Sequence, residues 1–105
     1  MQPPCDATLL RIVLGDDRIF GHRGVLDQVV HKANAMGLAG ATVVRGIIGY
    51  GPVTRDAIPL GGRPVIIEVI DTESKIREFL PSIRPLIKGS LVTQQKISVL
   101  NSEEP

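Results

Sequence analysis

The stretch with the most potential for chemistry is Arg45-Gly46-Ile47-Ile48-Gly49-Tyr50-Gly51, followed by Arg55 and Arg63. Three glycines close together bring bare backbone amides near the surface, and such amides can cradle an anion such as phosphate. Residues 45 to 64 hold three arginines and one acid, Asp56, a local charge of +2. The plainer account is a bulged edge strand running into a hairpin, with the glycines present for backbone geometry. Gly-x-x-Gly-x-Gly is not a dinucleotide fingerprint here, because no helix follows it, and no Gly-Lys-Ser/Thr occurs anywhere.

The other reactive residue types are sparse. His31 sits beside Lys32, off the apolar stripe of its helix, and reads as a solvated side chain. His22 lies in a loop near Asp16, Asp17 and Arg23, with no Cys or Glu at a metal-ligand spacing. The single cysteine, Cys5, excludes an internal disulfide and a zinc finger, and its position between Pro4 and Asp6 reads as an incidental place in a terminal tail. No serine, histidine and acid arrangement suggests nucleophilic catalysis.

These residues must be positioned by one domain, since the chain has 105 residues. Its 43% apolar content and net charge of +1 exclude a disordered chain and a broadly basic surface, and so a nucleic-acid binder. Only Phe20, Tyr50 and Phe79 carry aromatic rings. Three rings are too few to stack single-stranded bases. No apolar run approaches the length of a bilayer span, so direct membrane insertion is not expected, and Met1 to Asp6 does not read as a signal peptide. The expected compartment is the cytoplasm.

The order reads strand, helix, strand, strand, helix, strand. Leu9 to Leu14 form a β-branched run, and Val25, Leu26, Val29, Val30, Ala33 and Met36 repeat at helical spacing over 23–36, with Gly37 as a left-handed cap. The second strand runs over 41–50, a loop fills the Gly- and Pro-rich 51–64, and the third strand is Val65 to Ile70. Asp71 or Thr72 caps a second helix whose stripe is Ile76, Phe79, Leu80, Ile83 and Ile87. Pro81 and Pro85 fall in that stripe, which predicts a kink or break near Leu80. Lys88-Gly89 closes the helix, and the fourth strand is Leu91 to Leu100. Residues 1–7 and 101–105 read as flexible tails.

This pattern predicts an α+β, ferredoxin-like βαββαβ sandwich: a four-stranded antiparallel sheet with two helices on one face. The third strand should be central, and the second and fourth should be edges. Alternation puts Leu10, Ile12, Leu14, Val44, Ile48, Val65, Ile67 and Val69 under the helices. It leaves Leu9, Arg11, Val13, Val43, Arg45, Ile47, Ile66, Glu68 and Ile70 on the helix-free face. So apolar an open face predicts a homo-oligomer packed through it, with Arg and Glu residues pairing across the interface.

Several segments resemble a known family: Leu-Arg-Ile-Val-Leu-Gly in the first strand, Met36 to Gly51, Val65 to Thr72 with Lys75-Ile76, and Gly89-Ser-Leu-Val-Thr. Over about Leu9 to Val99 the chain resembles a bacterial family of unknown function within the PII-like superfamily. The resemblance implies a homotrimer with sheets facing inward, and a regulatory protein rather than an enzyme. It implies no resident cofactor, but a small anionic ligand such as an adenine nucleotide, held in clefts between subunits. The loop between the second and third strands, here 52–63, would contact a membrane transporter or an enzyme. Carried over, the ligand residues are Arg45, Gly46, Gly49, Tyr50, Gly51 and Arg55 at the loop and its base, with Lys88 and Gly89 as a second phosphate-contacting turn. PII proper has a longer loop bearing a tyrosine, whereas 52–63 has none. PII proper also has a Gly- and Lys-rich turn, of which Lys88-Gly89-Ser90 remains here. The alternative is an oligomeric adaptor that binds a protein partner through the same loop with no small ligand.

Overall fold

The protein is described from a computed structural model, which covers residues 5–15, 19–20, 23–47 and 64–101. Strand β1 (Cys5–Gly15) and a two-residue hairpin, β2 (Ile19–Phe20) with β3 (Arg23–Gly24), lead into helix α1 (Val25–Ala35). Strands β4 (Gly40–Arg45) and β5 (Pro64–Asp71) precede helix α2 (Glu73–Ile83), a 3-10 turn (Arg84–Leu86) and strand β6 (Leu91–Val99). The four long strands form one antiparallel sheet in the order β4-β5-β1-β6. The expected βαββαβ sandwich is the fold, with the third long strand inside the sheet and the second and fourth at its edges.

One face of the sheet is buried by the helices. Leu10, Ile12 and Leu14 of β1 meet Ile67 and Val69 of β5, and above them lie Val25, Val29, Ala33, Ile76, Phe79 and Ile83. Both helix ends are fixed as the local sequence dictates. Gly37 adopts φ +74°, so Leu38 N–H reaches back to Ala33 C=O (3.1 Å) and Gly37 N–H to Asn34 C=O (3.1 Å). Thr72 caps α2 by accepting from Lys75 N–H (3.3 Å). The half of the fold remote from Arg45 and Pro64 is tied by polar contacts. The buried Asp71 carboxylate accepts from Ala39 N–H (2.8 Å) and Thr72 N–H (2.6 Å), and Lys75 Nζ donates to Met36 C=O (3.2 Å).

Several expectations need correction. Strand β1 begins at Cys5, not Leu9, because β6 extends far enough to pair Cys5 with Val99, so residues 5–7 are strand rather than tail. No break occurs near Leu80: α2 continues through Pro81 to Ile83, and the tightening into a 3-10 turn comes at Arg84–Leu86. Neither proline is in the buried stripe, since both Pro81 and Pro85 are exposed. The described part of the second strand ends at Arg45, and the expected continuation over 48–50 lies outside the described residues.

The largest correction concerns which way β4 faces. Its register pairs Val43 with Ile67, Val44 with Ile66 and Arg45 with Val65. Val43 and Arg45 therefore lie on the helix side and Thr42 and Val44 on the open side, the reverse of the expected assignment. A one-residue change of parity flips every side chain. Ala-Thr-Val-Val-Arg carries apolar residues at both parities, so nothing in it selects one face. Both valines are exposed, at 39% and 45%, Val44 on the open face and Val43 on the edge strand of the sheet.

Candidate functional site

The corner just after β4 is built by the pairing of β4 with β5. Gly46 N–H donates to Pro64 C=O at 2.8 Å, closing the strand pair just beyond Arg45. A Cβ on Gly46 would sit 2.8 Å from Pro64 Cγ. Gly46 is thus required by close packing against the proline ring, and its amide is already engaged, so it does not offer an N–H to a ligand. Arg45 is exposed at the same corner, and Ile47 beyond it is 90% exposed. Gly49, Tyr50, Gly51, Arg55 and Arg63 lie outside the described residues.

The second candidate turn follows α2. Ile87 is buried, Ser90 N–H donates to Ile87 C=O (2.9 Å), and Gly89 takes φ +80°, a left-handed conformation that glycine adopts without a side-chain penalty. Lys88 and Arg84 are exposed on the same turn. With Gly89 and Ser90 they line a groove of about 540 Å³ whose apolar wall includes Ile87 and Val92. Ser90 Oγ is buried and has no hydrogen-bond partner among the described residues. Arg84 and the Ser90 hydroxyl are not among the expected ligand residues. The available signal is the Arg84–Lys88 pair, two cations four residues apart just before a Gly-Ser turn.

The two turns lie at one end of the sheet but on opposite edges. Arg45 pairs with Val65, Val65 with Leu14, and Leu91 with Val13. Three strand spacings separate β4 from β6, roughly 14 Å. Within one protomer the two turns therefore stand too far apart to meet one small anion together.

The remaining candidates take structural positions. His31 is exposed, Cys5 lies on β1, and His22 is outside the described residues. No group of three metal-binding side chains occurs among the described residues. No described helix is long and apolar enough to cross a membrane.

On the open face of the sheet, β1 and β5 place Leu9 beside Ile70, Arg11 beside Glu68, and Val13 beside Ile66. The expectation that Arg11 and Glu68 pair across an interface is corrected here. They pair within the protomer instead, Arg11 Nε and Nη2 both lying 3.0 Å from Glu68 Oε2. Their register as direct neighbours on adjacent strands makes the contact local. The arginine expected to join them on this face, Arg45, is on the other side.

The fold is that of PII-like proteins. CPII of Thiomonas intermedia K12, in a structure bound to ADP, AMP and acetate, superimposes with a TM-score of 0.68, covering 91% of this chain and 90% of its own at 16% identity. A Thermus thermophilus structure described as PII-like and signalling superimposes with a TM-score of 0.63, covering 90% of each chain at 15% identity. At the level of sequence, residues 7–99 match the family DUF190, uncharacterized ACR. A UPF0166 protein of Aquifex aeolicus (strain VF5) is 35% identical over 97 residues, spanning 88% of this chain and 91% of its own. The chain belongs to the DUF190 family.

Proposed function

We propose that the protein is a PII-like regulatory protein, without catalysis, that assembles as a homotrimer and senses an adenine nucleotide between subunits. The observation that carries this reading is the placement of the two basic turns on opposite free edges at one end of the sheet. β4 and β1 run one way, β5 and β6 the other. A neighbour's β4 laid beside β6 continues the antiparallel order. That brings Arg45 and the loop base of one copy to the Leu91 end of the next, where Lys88 and Gly89 sit. A head-to-tail contact of this kind forms a ring when its rotation closes, as the proposed trimer requires. Each cleft then gathers Arg45 and Arg55 from one copy and Lys88 and Gly89 from another, while Gly49, Tyr50 and Gly51 supply loop backbone. CPII, which shares the fold, binds ADP and AMP. The 52–63 loop, attached directly to the cleft, reports occupancy to a transporter or an enzyme.

Titration calorimetry with ADP, AMP and cyclic AMP, beside a light-scattering mass, tests the reading. A trimeric mass and binding of one of these nucleotides, weakened by Arg45→Ala and by Lys88→Ala, is the expected result. A trimer giving no heat with any of them overturns the nucleotide assignment.

A further inference from the structure

The end of the sheet opposite the two basic turns holds a separate set of uncommitted polar groups. Strands β1 and β6 run on past the end of β5 there, and their register sets Thr8 beside Lys96 and Asp6 beside Ser98. Alternation puts these four on the face of Leu10 and Ile12, the one the helices cover. With Glu73 at the start of α2 they line a groove of about 350 Å³. Lys96 lies five residues beyond Leu91 on β6, roughly 17 Å away, so this groove is distinct from the nucleotide cleft proposed above. Thr8 is only 3% exposed, yet its hydroxyl makes no hydrogen bond among the described residues and is not closed off from solvent. It opens into the groove that Thr8 lines. A hydroxyl on so buried a residue is ordinarily hydrogen-bonded. Asp6 and Lys96 are diagonal neighbours across the strand pair, a spacing that long side chains span. Neither forms an ion pair, with the other or with any other described residue. The Glu73 carboxylate, in contrast, is held by Arg77 Nη2 at 2.9 Å.

We infer that this groove binds a small zwitterion, a free α-amino acid, with its ammonium on Asp6, its carboxylate on Lys96 and the Thr8 hydroxyl donating to that carboxylate. One uncommitted negative group and one uncommitted positive group face the same space, and Thr8 adjoins both. A simple anion would gain Lys96 but meet Asp6, and a simple cation would gain Asp6 but meet Lys96. A molecule with both charges on one carbon satisfies both groups and leaves the charge of the groove unchanged. The inference stands apart from the nucleotide reading and gives the protein a second small-molecule input, at the other end of the same strand.

The test titrates the isotope-labelled full chain with a panel of the common amino acids, and with acetate and methylammonium as the two halves of the ligand, and follows the backbone amide resonances. At least one amino acid should give saturable shifts centred on Asp6, Thr8, Lys96 and Ser98, and neither half should do so at the same concentration. Thr8→Val, Asp6→Asn and Lys96→Gln, each checked for an unchanged melting transition, should weaken that binding about tenfold, and Thr8→Ser should retain it. No saturable shift with any amino acid, equal binding of acetate alone, or binding indifferent to both Thr8→Val and Lys96→Gln overturns the inference.

Discussion

Gly46 shows how a residue can look like ligand chemistry and serve packing. It stands in the segment richest in glycine and arginine, where exposed amides suggest an anion cradle. The Pro64 ring occupies the space its side chain would need, and the Pro64 carbonyl takes its N–H. Its φ is not positive, so the demand is for space alone. Gly46→Ala should therefore destabilise the fold by about 1–3 kcal/mol, the usual range for overpacking. In a Pro64→Ala background the same substitution should cost less, with a coupling of about 1 kcal/mol in a double-mutant cycle read by thermal or urea melting. An equal cost in both backgrounds would show that the ring is not the obstacle. Asp71 is a second case of a functional residue type in a structural post. Its carboxylate is buried at a helix start, but both oxygens accept main-chain N–H groups, which ties the β4 entry to the start of α2.

At the scale of elements, the sequence is most legible where one pattern is enforced by burial on one side only. The α1 stripe, the Gly37 cap and the alternation of β1 and β5 are all as the spacing predicts, because a misplaced residue there would expose a Leu or bury a charge. Legibility falls at β4, where Val43 and Val44 both remain exposed and so no core imposes a parity. It falls again at α2, where the prolines predict a break that does not occur. Pro81 is on the exposed face of the third turn. There the missing N–H withdraws one bond, while Ile76, Phe79 and Ile83 keep the buried face in place. If Pro81 is tolerated rather than required, Pro81→Ala restores that bond and removes the ring's clash with the Arg77 carbonyl. It should raise the melting temperature, by an amount corresponding to about 1 kcal/mol or more. A lower melting temperature would mean that the proline's packing beside Leu80 and Arg84 outweighs the lost bond. The candidate site is legible only in part for a related reason: periodicity locates elements, but Arg84 and Ser90 meet at a turn whose form depends on how α2 ends.

At the scale of the whole molecule, the question is what the open face of the sheet is for. Leu9, Val13, Ile66 and Ile70 flank the Arg11–Glu68 pair above and below, so charge is confined to one satisfied row between two apolar rows. A protomer alone gains little from this arrangement, since a solvated sheet face is ordinarily mostly polar. Pairing Arg11 with Glu68 inside the protomer also means that the face can be covered without leaving a charge unmatched, the condition under which burial of an ion pair is tolerated. Ile66→Asp tests this directly. The new carboxylate would lie two residues from Glu68 on the same face, with Arg11 already engaged, and in a trimer three copies of it would converge on the axis. Desolvating an unpaired charge costs on the order of several kcal/mol for each copy, whereas in a free protomer the half-buried position lets the carboxylate stay wet. The variant should keep its far-ultraviolet dichroism, run at the mass of one chain by light scattering, and lose nucleotide binding together with assembly, because each proposed cleft takes one edge from each of two copies. A trimer that persists in Ile66→Asp would show that the copies do not meet through this face, and nucleotide binding by a monomer would show that one edge is enough.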